Sequence, residues 1–138
     1  LPHPDHKAFV EMLKPSLDKV TVVDFFATDP MGTSEVDDKL RHVVLFQFKE
    51  GTSEAETKDI EAKFTSLAGD IPEISAYEWG INNSPEGLAE GYSHCFLVTF
   101  NNEAGREVYL PHPSPKEFGT LVRPNVEKVL VFDFVSSE

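Results

Sequence analysis

From Leu40 the run LRHVVLFQF alternates with a period of two, His42, Val44, Phe46 and Phe48 on one face and Val43 and Leu45 on the other. That is a strand, and it is largely apolar on both sides. The period then changes. Thr52 or Ser53 can cap a helix, and Glu56 stands three residues after Ser53, the spacing of a capping box. Ile60, Phe64 and Leu67 recur at helical spacing, so this helix buries one stripe before Gly69 to Pro72 ends it. Ile74 to Ile81, with Tyr77 and Trp79, reads as a second strand, and Asn82 to Gly91 as a polar loop. Tyr92 to Phe100 reads as a third strand, again apolar on both faces through His94, Phe96 and Val98 against Cys95 and Leu97. A short helix capped by Asn101 or Asn102 runs to Leu110. A Pro-His-Pro loop, a helix near Lys116–Val122 and a last strand Glu127–Val135 complete the unit.

Ahead of it, residues 5–14 read as a short helix with Phe9, Met12 and Leu13 on one face, ended by Pro15. Val20 to Ala27 reads as a strand rich in Val and Phe, and it is expected to pair with a sheet edge, because an unpaired apolar strand invites aggregation. Residues 28–39, with Pro, Gly and four acids, read as a solvated linker.

The order strand, helix, strand, strand, helix, strand from Leu40 onward predicts an α+β, ferredoxin-like unit with its helices on one face of an antiparallel sheet. Three of its strands are apolar on both faces. The face without helices therefore needs a second sheet or a ligand to cover it. The economical arrangement is a dimeric α/β barrel, formed either by a homodimer or by an intrachain pseudo-dimer through the sheet.

Part of the chain occurs twice. Residues 1–25 (LPHPDHKAFVEMLKPSLDKVTVVDF) align without a gap to residues 110–134 (LPHPSPKEFGTLVRPNVEKVLVFDF), with 12 of 25 positions identical at a separation of 109 residues. A repeat of that period is domain-sized. The expected organisation is a C-terminal remnant of a preceding copy at residues 1–27, the linker at 28–39 and a complete domain at 40–138. A start inside a repeat is what proteolysis or a shortened chain would leave.

Composition narrows the partners. The chain has 138 residues, 11 of them Phe, enough apolar material for one packed core. A net charge of −12 argues against a nucleic-acid backbone or an anionic membrane as partner. The single cysteine, Cys95, allows no internal disulfide and fits a reducing, intracellular and cytoplasmic setting. No signal-peptide pattern or bilayer-length apolar stretch is present. There is also no Cys pair, His-x-x-x-His, acidic calcium loop or Gly-rich phosphate loop, so neither a metal nor a cofactor is expected.

Taken in order, LRHVVLFQFK, Ile-Pro-Glu-Ile, EGYSHCFLVTF, YLPHPSPKEFG (Tyr109 to Gly119) and LVFDF resemble the stress-responsive α/β-barrel (Dabb) family across residues 40–135. The resemblance implies a ferredoxin-like protomer that pairs through its sheet. It also accounts for the repeat, since plants carry tandem-domain members. Some tandem members are peroxisomal, which makes the peroxisome the alternative compartment, although the final Ser-Ser-Glu is not a peroxisomal address. By resemblance to a polyketide cyclase of the family, His42, His94 and Tyr109 match pocket residues and are the catalytic candidates. With Val44, Phe46, Phe64, Phe96 and Phe118 they would line a pocket for a small apolar ligand.

Plainer readings stand beside these. His42 and His94 could each be buried histidines bonded to backbone, Tyr109 a packed helix-end tyrosine, and Trp79, Phe96 and Phe118 core. His112, kept as His3 in the repeat, reads as a loop-pinning hydrogen-bond group. His42 and His94 begin antiparallel neighbours, which puts them roughly 15 Å apart, too far to share an ion. In the family cyclase a histidine serves as base at the position held here by Pro115, and proline cannot titrate. The orphan copy does have a histidine there, His6, but lacks the matching tyrosine. The leading expectation is a stress-response barrel protein that assembles through its sheet and binds a small apolar ligand without a firm catalytic role. The alternatives are a cyclase-like enzyme and a purely structural module with a filled barrel. A cavity beside His42 and Tyr109 separates the first two readings from the third.

Overall fold

The computed structural model describes residues 3–26, 28–31 and 39–136. Its elements in chain order are α1 (Pro4–Leu13), β1 (Thr28–Met31), β2 (Leu40–Phe48), α2 (Glu54–Asp70), β3 (Ile74–Ile81), β4 (His94–Phe100), α3 (Glu103–Tyr109), α4 (Pro113–Val122) and β5 (Val126–Val135). They form one antiparallel sheet in the order β1-β3-β4-β2-β5. From β2 onward this is the expected ferredoxin-like arrangement.

Local chemistry sets the helix limits. Ser53 accepts from the Glu56 amide while Glu56 accepts from the Ser53 amide, closing the capping box of α2. Asn102 caps α3 by accepting from the Gly105 amide. α4 begins at Pro113, earlier than the pattern predicts, because His112 Nδ1 accepts from the Ser114 amide and Pro113 needs no partner in the first turn. The α2 stripe Ile60, Phe64 and Leu67, with Ala68, is buried on the sheet against Phe96, Val98 and Phe100. Phe64 and Phe96 lie at the centre, their ring centroids 4.3 Å apart.

The N-terminal segment departs from expectation in one respect. Its helix forms and passes into a 3-10 turn at Lys14–Ser16, as α4 passes into one at Arg123–Asn125, each element offset by the repeat period. His3 repeats the cap of His112, its Nδ1 accepting from the Asp5 amide. The expected strand at Val20–Ala27 is not formed over residues 20–26, and Ala27 lies outside the described residues. The sheet edge is instead paired by Thr28–Met31, inside the expected linker, opposite Trp79 and Tyr77 of β3. Of the rest of that linker, residues 32–38 lie outside the described residues.

The reason is visible in the contacts. Residues 20–26 lie across the sheet face that carries no helix, where Val23 and Phe25 pack against a cluster of Val43, Leu45, Tyr92 and Cys95. The loop after β3 ties them down: the Val22 amide donates to the Leu88 carbonyl, the Asn83 amide to the Asp24 carbonyl, and Thr21 Oγ1 to Glu90 Oε2 at 2.7 Å. Backbone groups satisfied by a loop cannot also pair with an edge strand. Beneath this segment the Cys95 thiol is pushed up to about 12, by burial first and then by Glu78.

Gly80 makes this contact possible. A Cβ there would come within 2.6 Å of Phe25 Cβ and of the Phe26 carbonyl oxygen. Gly80→Ala should therefore destabilise the chain by about 1–3 kcal/mol in denaturant unfolding. In a chain lacking residues 1–26 the atoms nearest the added methyl are gone, and the same substitution should cost less than about 0.5 kcal/mol. Equal costs in the two backgrounds would show that the segment does not lie on Gly80.

Candidate functional site

Between the helices and the sheet lies a cavity of about 410 Å³. Its floor is the helix-facing side of β2 and β4: His42, Val44 and Phe46 from the first, Phe96 and Val98 from the second. α2 contributes Phe64, and α3 contributes Tyr109 at its last residue. Along α4, Pro115, Lys116, Phe118, Gly119, Val122 and, just past its end, Arg123 line one side. That spacing is one face of a helix. Val129 and Val131 of β5 also line it and remain 50% exposed, so the cavity opens along that strand.

Seven of the eight expected lining residues therefore meet here: His42, Val44, Phe46, Phe64, Phe96, Tyr109 and Phe118. His94 does not line it. Register places His94 opposite Phe46 and His42 opposite Val98, four residue steps apart along β2. The buried His94 has both ring nitrogens engaged, Nε2 with Glu61 Oε2 at 2.9 Å and Nδ1 with Ser93 Oγ at 2.9 Å. It also stacks on Trp79, a core residue. His6 stands in α1 beside Glu86, with a 3.8 Å separation, and is not among the lining residues.

The polar end of the cavity is built from one helix, α3, and two strands, β2 and β5. His42 Nδ1 lies 2.6 Å from Asp133 Oδ1, and the other Asp133 oxygen accepts from Arg106 Nη1 at 3.1 Å. Because a carboxylate can only accept, Nδ1 is the donor of this pair, and the bond fixes the orientation of the ring. The edge of one ring faces the other where His42 meets Tyr109, their centroids 5.6 Å apart. Burial pushes the Tyr109 phenol up to about 12, so it stays a protonated donor throughout the neutral range. The cavity thus offers an apolar body, a hydrogen-bond donor and an oriented imidazole.

Asp133 and Arg106 were not among the sequence candidates, although both carry a readable signal. Asp133 is the one acid in the run VLVFDFV, and Arg106 precedes Tyr109 by three residues, on the same helix face. Among the described residues no group of three or more His, Cys, Asp or Glu is placed to hold a metal ion, and no helix is long and apolar enough to cross a membrane.

Known proteins share this framework. A stress-response A/B barrel domain-containing protein, HS1 of Arabidopsis thaliana, is 34% identical over 95 residues, covering 69% of this chain and 87% of the relative. Olivetolic acid cyclase of Cannabis sativa is 30% identical over 95 residues, covering 69% and 94%. The solved structure of a hydroxynitrile lyase from Passiflora edulis superposes with a TM-score of 0.69 at 27% identity, covering 73% of this chain and 95% of the lyase. The family model for the stress responsive A/B barrel domain matches residues 40–136, so this chain belongs to the stress-responsive A/B barrel (Dabb) family.

Proposed function

We propose that the domain is a binding protein for a small, largely apolar ligand that carries an oxygen at one end. The observation that carries this reading is the cavity itself. Its size lies within the range of small-molecule sites, and its interior is aliphatic and aromatic with two convergent polar groups, His42 and Tyr109. A filled barrel would leave no such space. Tyr109 is the natural donor to a carbonyl or hydroxyl oxygen of the ligand.

A second reading is favoured by the Arg106–Asp133–His42 chain. An imidazole oriented by a carboxylate beside a protonated phenol is the equipment for moving a proton next to a carbonyl. Two of the similar proteins are enzymes by name, a cyclase and a lyase. Pro115 occupies the position that holds the base in the cyclase resemblance, so any such chemistry here would fall to His42.

We also propose that the domain assembles through its sheet. Leu130, Phe132 and Phe134 of β5 point away from the helices and are 37%, 47% and 47% exposed, an apolar stripe that a second sheet would cover. That sheet belongs to a second copy or to a preceding domain of the same chain. Residues 1–27 are then the C-terminal part of such a domain, joined by residues 28–39 to the copy at 40–138.

Three outcomes are expected. In calorimetric titration 1-decanol should bind, Val131→Trp should fill the cavity and abolish binding, and Tyr109→Phe should weaken it about twofold to tenfold, the worth of one hydrogen bond. Undiminished binding to Val131→Trp would place the ligand elsewhere. Against a linear tetraketide thioester the chain should give no cyclised product above background, because a missing positioned base typically lowers rate about 10²–10⁴-fold. Product formation at an enzymatic rate, lost in Tyr109→Phe, would overturn that expectation, and a gain in Pro115→His would show that only the base was lacking. Sedimentation should report an assembly that Phe132→Glu converts to monomer; a wild-type chain that is already monomeric at high concentration would sink the assembly reading.

A further inference from the structure

We infer that the ligand is an amphipathic acid, its apolar body in the cavity and its carboxylate held at the mouth by Lys116 and Arg123. This rests on the binding reading above and adds the ligand's charge. Among the described residues, and apart from the imidazole of His42, the only ionisable side chains lining the cavity besides Tyr109 are these two cations, in a chain whose net charge is −12. A random draw from so acidic a surface would place carboxylates there.

The sorting happens along one helix. Lys116 and Glu117 are adjacent in α4, yet Lys116 faces the cavity while Glu117 faces the groove toward α2, with Lys63 and Asp70. Lys116 and Arg123 are seven residues apart, on the same face and about 10 Å apart along the axis. Long flexible side chains can close that gap on a single carboxylate. Both are exposed, whereas His42 and Tyr109 are buried, which puts the cations at the rim and the neutral hydrogen-bonding groups inside. Among the described residues neither cation has a carboxylate within ion-pair distance.

The interior gives an anion no better place. Asp133 is already committed to His42 and Arg106 and is not among the lining residues. Bringing a ligand carboxylate to that end would set two like charges close together in a partly desolvated site. With the charge outside, the body of the ligand meets Val44, Phe64, Phe96 and Phe118, and any second oxygen it carries meets Tyr109.

The test is titration of decanoate and 1-decanol at neutral pH and low salt into the wild-type chain, a Lys116→Gln/Arg123→Gln double variant and a Glu117→Gln control. Decanoate should bind roughly threefold to tenfold more tightly than the alcohol, as two rim cations allow. The preference should vanish in the double variant, where the affinities for acid and alcohol converge, persist in Glu117→Gln, and fade near 1 M salt, where screening is within about 3 Å. Equal affinities in the wild type, or an acid preference that survives the double substitution, overturn the inference and leave the binding reading intact. Binding of neither probe overturns the binding reading itself.

Discussion

The position of β2 between β4 and β5 is the constraint on which the rest of this molecule depends. A central strand has both backbone edges paired and both faces in use. Strict alternation therefore turns its sequence into two surfaces at once. His42, Val44 and Phe46 become cavity floor, while Val43 and Leu45 become the seat of the N-terminal segment. A slip of one residue would exchange these sets. It would bring Arg41, now bonded to Thr99 and Ser136, under the helices in place of His42.

The same register explains how an acid is tolerated in β5. Asp133 lies opposite His42, and α3 brings Arg106 to its other oxygen. The residue is exposed, so its carboxylate carries little desolvation cost, and its two oxygens are held by His42 and Arg106. Fold and site are coupled at this point: the pairing that closes the sheet also orients the imidazole. The sheet and α3 carry the polar end of the cavity, and α4 with the residue after it carries the exposed end with its two cations.

Most of the fold was legible because each element from Leu40 onward announces itself locally. Period-two runs, a capping box, a helical stripe and turn residues all agree with the final packing. The apolar wall of the cavity was legible for the same reason, since Val44, Phe46, Phe64, Phe96 and Phe118 sit at inward positions. What escaped depends on partners distant in sequence. His94 looks like His42 on paper, each a histidine on an apolar strand, and only register decides that one meets Glu61 and Ser93 while the other meets the cavity. Arg106 and Asp133 are 27 residues apart, and no local pattern joins them.

The misread strand shows the limit of local pattern most clearly, because the chain contains its own control. Two nearly matching segments form the same cap, the same ten-residue helix and the same 3-10 turn, and then diverge. Residues 126–135 become a strand because β2 offers them a free edge; residues 17–26, with the same Val, Asp and Phe at matching places, find that edge taken. They use their apolar side chains on a sheet face instead of their amides on a sheet edge. Phe118 packs on the core from α4, whereas its counterpart Phe9 in α1 is 53% exposed. Helix and turn are properties of the segment, and the strand is a property of the neighbour.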